Sequence, residues 1–321
     1  MSAVAQSANH ELEQALAHYD IGELIDFEPA KPEPDNHSYH AHTRQGEREF
    51  RVTLTFVEPP ALPTGAYVSL LDRCAAAGLP VAPILRTKKG LPYATTSSLP
   101  AFVVPRLSGR ITYNPTERQI RALGRFAARF HLATASAEYL MPDHPGTVSW
   151  LRGQEQSLRG LMPFACADMF VEAARCVRSL LRRHDVNELP SGAIHTRLAR
   201  ANALFNEAGL TGVLNLDQAA QGFLIYDLAA AANDWCNDAS GALNPERTLW
   251  LLQGYHAIRP LTHQEVWFFS GFALYAALNA WVAQLSQVST AREPFKNPDE
   301  LEAAVRHHLG HTFYIDHRLL A

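Results

Sequence analysis

The sequence predicts an α+β protein of two lobes: a small β-rich N-lobe over residues 1–107 and a larger, mainly helical C-lobe over residues 108–321. Three observations lead there. The first lobe carries runs rich in β-branched and aromatic residues, YDIGELIDFEPA, SYHAHTR and EFRVTLTFVE, with GEREF as the hairpin connection between the last two. After PRLSGR the texture changes to long segments with apolar residues at three- and four-residue spacing, beginning with TERQIRALGRFAARFHLATA. Within the helical part, residues 192–217 insert a short strand, a loop and a second strand.

The elements follow in order. A helix, ELEQALAHY, precedes the three strands. Proline-rich EPPALPTG separates them from the helix AYVSLLDRCAAAG, stopped at Gly78. LPVAPILRT and PAFVVPRL read as further strands around the turn KKGLPY. In the second lobe Pro115 and Thr116 mark the start of the first helix, and SWLRGQEQSLRGLM and ACADMFVEAARCVRSLLRRH follow as helices. GAIH is a strand, LTGVLNL another, and helices run through FLIYDLAAAANDW, ERTLWLLQGY and DELEAAVRHH. VWFFSGFALYAALNAWVAQL is apolar enough to raise a membrane span. It contains Ser270, Asn279 and Gln284, and a reciprocal cap, Thr262 with Glu265, precedes it. It reads as a core helix, with Trp267 and Phe268 as packing residues.

Composition narrows the function classes. Apolar residues are 47% and charged ones 19% of the 321, an ordinary globular balance. A net charge of −4 supplies no drive toward nucleic acid or an anionic membrane. The N-terminal MSAVAQSANHELEQALAHYD lacks a positive region followed by an apolar one. Cys74, Cys166, Cys176 and Cys236 form no C-x-x-C pair and no zinc spacing. Together these features lead us to expect a cytoplasmic protein without nucleic-acid or membrane partners. In HHLGH, His307, His308 and His311 stand at helical spacing without an acidic neighbour, and read as solvent-exposed rather than metal-binding.

The chemistry concentrates in IHTRLARAN, residues 194–202, whose frame is H-x-R-x-x-x-x-N. A kinase catalytic loop has that frame with aspartate in third place, where Arg197 stands here. Thirteen residues after Asn202 comes Asn215 in GVLNLDQ, then Asp217. At strand spacing Asn215 and Asp217 face the same way. A β-rich lobe joined to a helical lobe around such a unit is the protein-kinase-like plan, with nucleotide expected in the cleft.

The segment IHTRLARANALFNEAGLTGVLNLDQAAQGFLIYDLAAAANDWCND resembles the catalytic segment of bacterial homoserine kinases of the aminoglycoside-phosphotransferase-like type. That family shows HADLFxDNVLF, then GLIDFYxA, then LYDLAxxxNDWC. Flanking pieces agree: YDIGELIDF, DNHSY, AGLPVAPILRT, PRLSGR, RFHLATA, LNPER, GYHAIRPLTHQE and NPDELE, so the resemblance spans nearly the whole chain. It implies ATP-dependent phosphorylation of L-homoserine in threonine biosynthesis, with ATP and Mg²⁺ as cofactors. By the resemblance His195, Asn202 and Asp227 match the family, Arg197 stands at its aspartate base, Asn215 at its metal aspartate, and Ala201 at the aspartate before the asparagine.

These replacements oppose the chemistry. Arginine, with a pKa above about 12, cannot accept a proton near neutrality, and a positioned base contributes about 10²–10⁴-fold. Asparagine offers Mg²⁺ a neutral carbonyl where hard cations favour anionic oxygen. Asp217 is either a replacement metal ligand or a surface turn residue. His195 either holds the loop or packs at a strand end, and Asn202 binds metal or braces the loop. Asp227 either caps or braces the helix starting at Leu228, or touches substrate. Asn36 and Arg106 are the nucleotide candidates of the N-lobe, with plain turn chemistry and a solvated arginine as the other readings. Thr53 stands where kinases place a lysine on the strand EFRVTLTF. The sequence thus leaves two functions: a homoserine kinase-like phosphotransferase with weakened catalysis, or an inactive pseudokinase that binds a nucleotide or anion.

Overall fold

The computed structural model describes residues 3–30, 38–56, 64–95, 99–135, 150–151, 153–154, 158, 164–238, 240–286 and 298–320. They divide into two compact units, Met1–Ser108 and Gly109–Ala321.

Among its described residues the first unit holds two helices, α1 (Ala3–Leu16) and α2 (Thr64–Ala76), and five strands. The strands are β1 (Glu23–Pro29), β2 (Ser38–Gln45), β3 (Arg48–Phe56), β4 (Ala94–Thr95) and β5 (Pro100–Pro105). They form one antiparallel sheet in the order β1-β2-β3-β5-β4. The period-2 pattern of β3 sets its register. Val52, Leu54 and Phe56 are buried against Leu12, Leu16 and Tyr19 at the α1 end of the core, while Thr53 and Thr55 lie on the other face. A slip by one residue would bury the threonines and expose the apolar set. LPVAPILRT is not a strand. Pro80 and Pro83 lack the N–H a ladder needs, and the segment runs as irregular chain that bonds β5 through Leu85 N–H to the Val103 carbonyl, 2.8 Å.

The second unit begins its helices with α3 (Glu117–Thr134), and Thr116 and Gln119 form a complete capping box at its start. Then come α4 (Phe164–Leu181), β6 (Ser191–Ile194), β7 (Ala203–Asn206), β8 (Gly209–Val213) and β9 (Ala220–Phe223). The chain ends with α5 (Leu224–Trp235), α6 (Pro245–His256), α7 (His263–Ser286) and α8 (Pro298–Gly310). The strands make two antiparallel pairs, β6-β9 and β7-β8. AQGF carries no alternating pattern; its strand character comes from pairing with β6, Ser191 opposite Phe223 through Ile194 opposite Ala220. SWLRGQEQSLRGLM falls largely outside the described residues.

Helix α7 is long and apolar enough to cross a membrane, yet 72% of its apolar stretch is buried. A helix apolar all round belongs in a core. Its cap is as anticipated: Thr262 N–H donates to Glu265 Oε2 at 2.9 Å, and Glu265 N–H to Thr262 Oγ1 at 3.1 Å. Trp267 is not a packing residue, being 71% exposed, whereas Phe268 is buried. His308 is buried, not solvent-exposed, because α8 turns it inward onto α5; His311 does face solvent.

Helices α3 and α6 touch backbone to backbone. A Cβ on Gly124 of α3 would overlap the Leu251 carbonyl oxygen, and one on Gly254 of α6 would overlap that of Arg121. This approach carries His131 of α3 and Tyr255 of α6 to within 2.8 Å of each other. Gly124→Ala is therefore expected to destabilise the fold by about 1–3 kcal/mol, as overpacking does. Thermal unfolding should show a midpoint lower by about 2–4 °C per kcal/mol. Gly65→Ala, where a Cβ meets nothing within 4 Å, serves as the control and stays within about 0.5 kcal/mol.

Candidate active site

Strand β6 ends at Ile194 and delivers His195 into the interior, fully buried. Its Nε2 lies 2.9 Å from the Leu214 carbonyl, which can only accept, so Nε2 carries the proton. Nδ1 is then the acceptor for Arg197 N–H, 3.3 Å away. Burial pushes the His195 pKa down, against the opposing charge of Asp227, and keeps the ring neutral. Thr196 has φ 69°, a left-handed conformation that is costly for a β-branched residue, of order 1–3 kcal/mol. Two bonds hold it there: its N–H donates to Asp227 Oδ1 at 2.8 Å, and its hydroxyl to the Gln218 carbonyl at 3.1 Å.

Arg197 is exposed, and among the described residues its guanidinium makes no hydrogen bond or ion pair. Its backbone is held on both sides, by His195 Nδ1 and by Asn202 Nδ2, which donates to the Arg197 carbonyl at 2.8 Å. That second bond fixes the Asn202 amide. With Nδ2 committed to a carbonyl, Oδ1 must point the other way, and there Asn215 Nδ2 donates to it at 2.7 Å. Asn202 is nearly buried, and the Leu214 N–H closes on its carbonyl at 2.9 Å.

Asn215 does not continue a strand. β8 ends at Val213, Asn215 turns left-handed at φ 63°, and residues 216–218 form a single 3₁₀ turn. The same-face relation of Asn215 and Asp217 that strand spacing suggests is therefore absent. Asp217 is half-buried and accepts from Gln218 Nε2 at 2.9 Å. The residues present do not fit a Mg²⁺ site. Asn202 and Asn215 offer neutral amides, one oxygen of which already accepts from the other amide. Among the described residues no group of three His, Cys, Asp or Glu side chains could hold a metal ion.

The brace of this loop lies beneath it. Asp227 is fully buried in the first turn of α5, which starts at Leu224, so it caps no helix at Leu228. Its carboxylate accepts from the N–H of His195 at 2.7 Å, the N–H of Thr196 at 2.8 Å and Nε2 of His131 at 3.1 Å. Burial alone would raise its pKa; the hydrogen bond and charge of His131, with His195, outweigh that and hold it below the usual carboxylate value. The contacts continue from His131 Nδ1 to the Tyr255 hydroxyl, 2.8 Å, which accepts from Arg259 at 3.2 Å. Arg259 pairs with Glu265 at 2.8 Å, in the cap of α7.

The NDW triplet of α5 does the same work further along. Asp234 accepts the Arg200 N–H at 2.6 Å and pairs with its guanidinium. Trp235 Nε1 donates to the Leu198 carbonyl at 2.9 Å. Asn233 donates to the Ala273 carbonyl at 2.8 Å and accepts from His308 Nε2 at 2.8 Å. Sequence reasoning singled out neither His131, Tyr255 nor Asp234. The signal for His131 was present: it falls four residues after Ala127 on the buried stripe of α3, a polar residue on an apolar face.

In the N-terminal unit Arg106 is exposed and lies 3.5 Å from Glu28 Oε1. Thr53 Oγ1 meets His40 Nδ1 at 3.0 Å on the polar side of the sheet. Burial, then the charge of Arg106, lowers the His40 pKa, with Glu28 opposing. Asn36 lies outside the described residues.

Residues 26–261 match the phosphotransferase enzyme family. A homoserine kinase of Pseudomonas aeruginosa is 30% identical over 302 residues, covering 94% of this chain and 92% of the relative. One from Methylobacillus flagellatus is 32% identical over 295 residues, covering 90% and 88%. Among solved structures, an amicoumacin kinase in complex with AMP-PNP, Ca²⁺ and Ami has the same fold, with a TM-score of 0.68 at 12% identity over 95% of this chain and 92% of that one.

Two outcomes follow from this geometry. Asn215→Asp puts a carboxylate where Asn202 Oδ1 now meets a donor, which should cost about 1 kcal/mol in metal-free buffer. Added Mg²⁺ should raise the melting temperature of that variant and leave the natural protein's unchanged. The second concerns pH. Burial, and then His307, push His308 down to about 4, while in the unfolded chain it protonates near 6.5. Below pH of about 6.5 the unfolded state therefore binds more protons, and stability falls as pH drops toward 4, by up to about 1.4 kcal/mol per unit. Melting curves between pH 7 and 5 should show this slope, and His308→Gln, which can still donate to Asn233, should flatten it.

Proposed function

We propose that this chain, which belongs to the phosphotransferase enzyme family as a homoserine kinase-like phosphotransferase, takes ATP and L-homoserine as its ligands and transfers the γ-phosphoryl group slowly. The reaction would break the bond from γ-phosphorus to the ADP oxygen and form one to the homoserine hydroxyl oxygen, a step that belongs to threonine biosynthesis. The observation that carries the reading is the loop scaffold. Asp227, Asp234 and Trp235 all hold the loop, and Thr196 keeps a strained backbone.

What the scaffold presents is altered. Arg197 cannot take the hydroxyl proton, which has to leave to a phosphoryl oxygen or to water. The loose transition state of phosphoryl transfer makes little demand on a base and much on charge neutralisation, which a guanidinium supplies. Losing the base still costs about 10²–10⁴-fold. Mg²⁺ is assigned no step, since the amide pair does not suit it. We place this activity in the cytoplasm, with small molecules rather than nucleic acid or membrane as partners.

A second reading is favoured by the Asn202–Asn215 pair: a catalytically silent module that binds a nucleotide or anion. ADP release with ATP, Mg²⁺ and L-homoserine separates the two. The natural chain should turn over far below about 10 s⁻¹, an ordinary enzyme rate. Arg197→Asp/Asn215→Asp should raise the rate by about 10²-fold or more. A homoserine-dependent rate of zero in the natural chain would leave the silent module standing.

A further inference from the structure

We infer that the loop after β6 holds the polyphosphate of a nucleoside triphosphate without a divalent cation, the Arg197 guanidinium supplying the positive charge. The inference rests on the reading that ATP is a ligand.

Three features carry it. The amide pair is closed: the Arg197 carbonyl takes Asn202 Nδ2, which aims Oδ1 at Asn215 Nδ2. A cation arriving at Asn202 Oδ1 would meet the N–H of Asn215, the positive end of its dipole, and would have to break a bond of 2.7 Å. Of the carboxylates nearby, Asp227 is buried under three N–H donors and Asp234 pairs with Arg200, while Asp217 accepts from Gln218 through one oxygen.

The third feature is Arg197 itself. It is exposed and its guanidinium is uncommitted among the described residues, while its backbone is pinned by His195 and Asn202. A planar guanidinium with five N–H donors matches phosphate oxygens in pairs. The same carbonyl that orients the amide pair belongs to this residue, so the closed metal position and the added cation are one local arrangement. Relative to two aspartates, arginine shifts the charge by two units and asparagine by one, which exceeds the two positive charges that one Mg²⁺ would bring.

The test is ATP binding to the full chain by calorimetry, in excess EDTA and in excess Mg²⁺. The two dissociation constants should agree within about twofold, and Arg197→Ala should weaken binding about tenfold or more in both buffers, a charge-assisted bond being lost. Arg197→Ala removes an exposed side chain and should melt with the natural protein, so its weaker binding reports the guanidinium. Asn215→Asp should bind ATP better in Mg²⁺ than in EDTA. Binding by the natural chain only in Mg²⁺, or Arg197→Ala binding as tightly as the natural chain, overturns the inference and leaves the ATP reading intact. No binding in either buffer overturns both.

Discussion

The buried carboxylate of Asp227 is the interaction on which the unit that carries the candidate site depends. A charge with no solvent access is costly unless its oxygens are filled. Here two backbone N–H groups of the loop and one ring nitrogen of α3 fill them. The dependence runs both ways. The carboxylate needs His195 and Thr196 at these positions, and Thr196 needs the carboxylate to stay at φ 69°. The close crossing of α3 and α6 at Gly124 and Gly254 serves the same end, because it sets His131 between Asp227 and Tyr255.

This arrangement separates the residues that hold the loop from those it presents. The holding groups, Asp227, Asp234, Trp235 and His131, all lie on helices and are buried or nearly so. The presented group, Arg197, is on the surface, and among the described residues its hydrogen bonds to the scaffold run through its backbone. An exchange at Arg197 therefore changes the charge presented by the loop while leaving its hydrogen-bonded scaffold in place. Asn215 is an intermediate case. Its side chain completes the hydrogen bonding of Asn202, so its identity matters to the loop as well as to the charge of the site.

Much of the molecule was legible in the sequence because it depends on local chemistry. The alternation in EFRVTLTF determines which face of β3 is apolar. Thr116 marks the start of α3, and Thr262 with Glu265 marks that of α7 by reciprocal hydrogen bonds between residues three apart. The frame H-x-R-x-x-x-x-N located the loop, and the LIYDLA to NDWC block marked the helix beneath it. What failed were readings that borrowed regularity from a neighbour. LPVAPILRT has the composition of a strand, but prolines deny it a ladder. Asn215 and Asp217 share a face only if the strand continues, and it stops at Val213.

The sequence by itself determined the two-lobed α+β plan, the position of the loop, and the presence of an arginine and an asparagine where carboxylates are expected, because each is a matter of residue type and spacing. Tertiary structure alone decided what Asp227 does, which way the Asn202 amide points, that His308 is buried, and that AQGF is a strand. The Asn202 amide answers to Arg197 and Asn215, 5 and 13 residues away, and the others depend on partners 26 to 96 residues away in the chain. A hydrogen bond over such a separation exists only once the helices have packed.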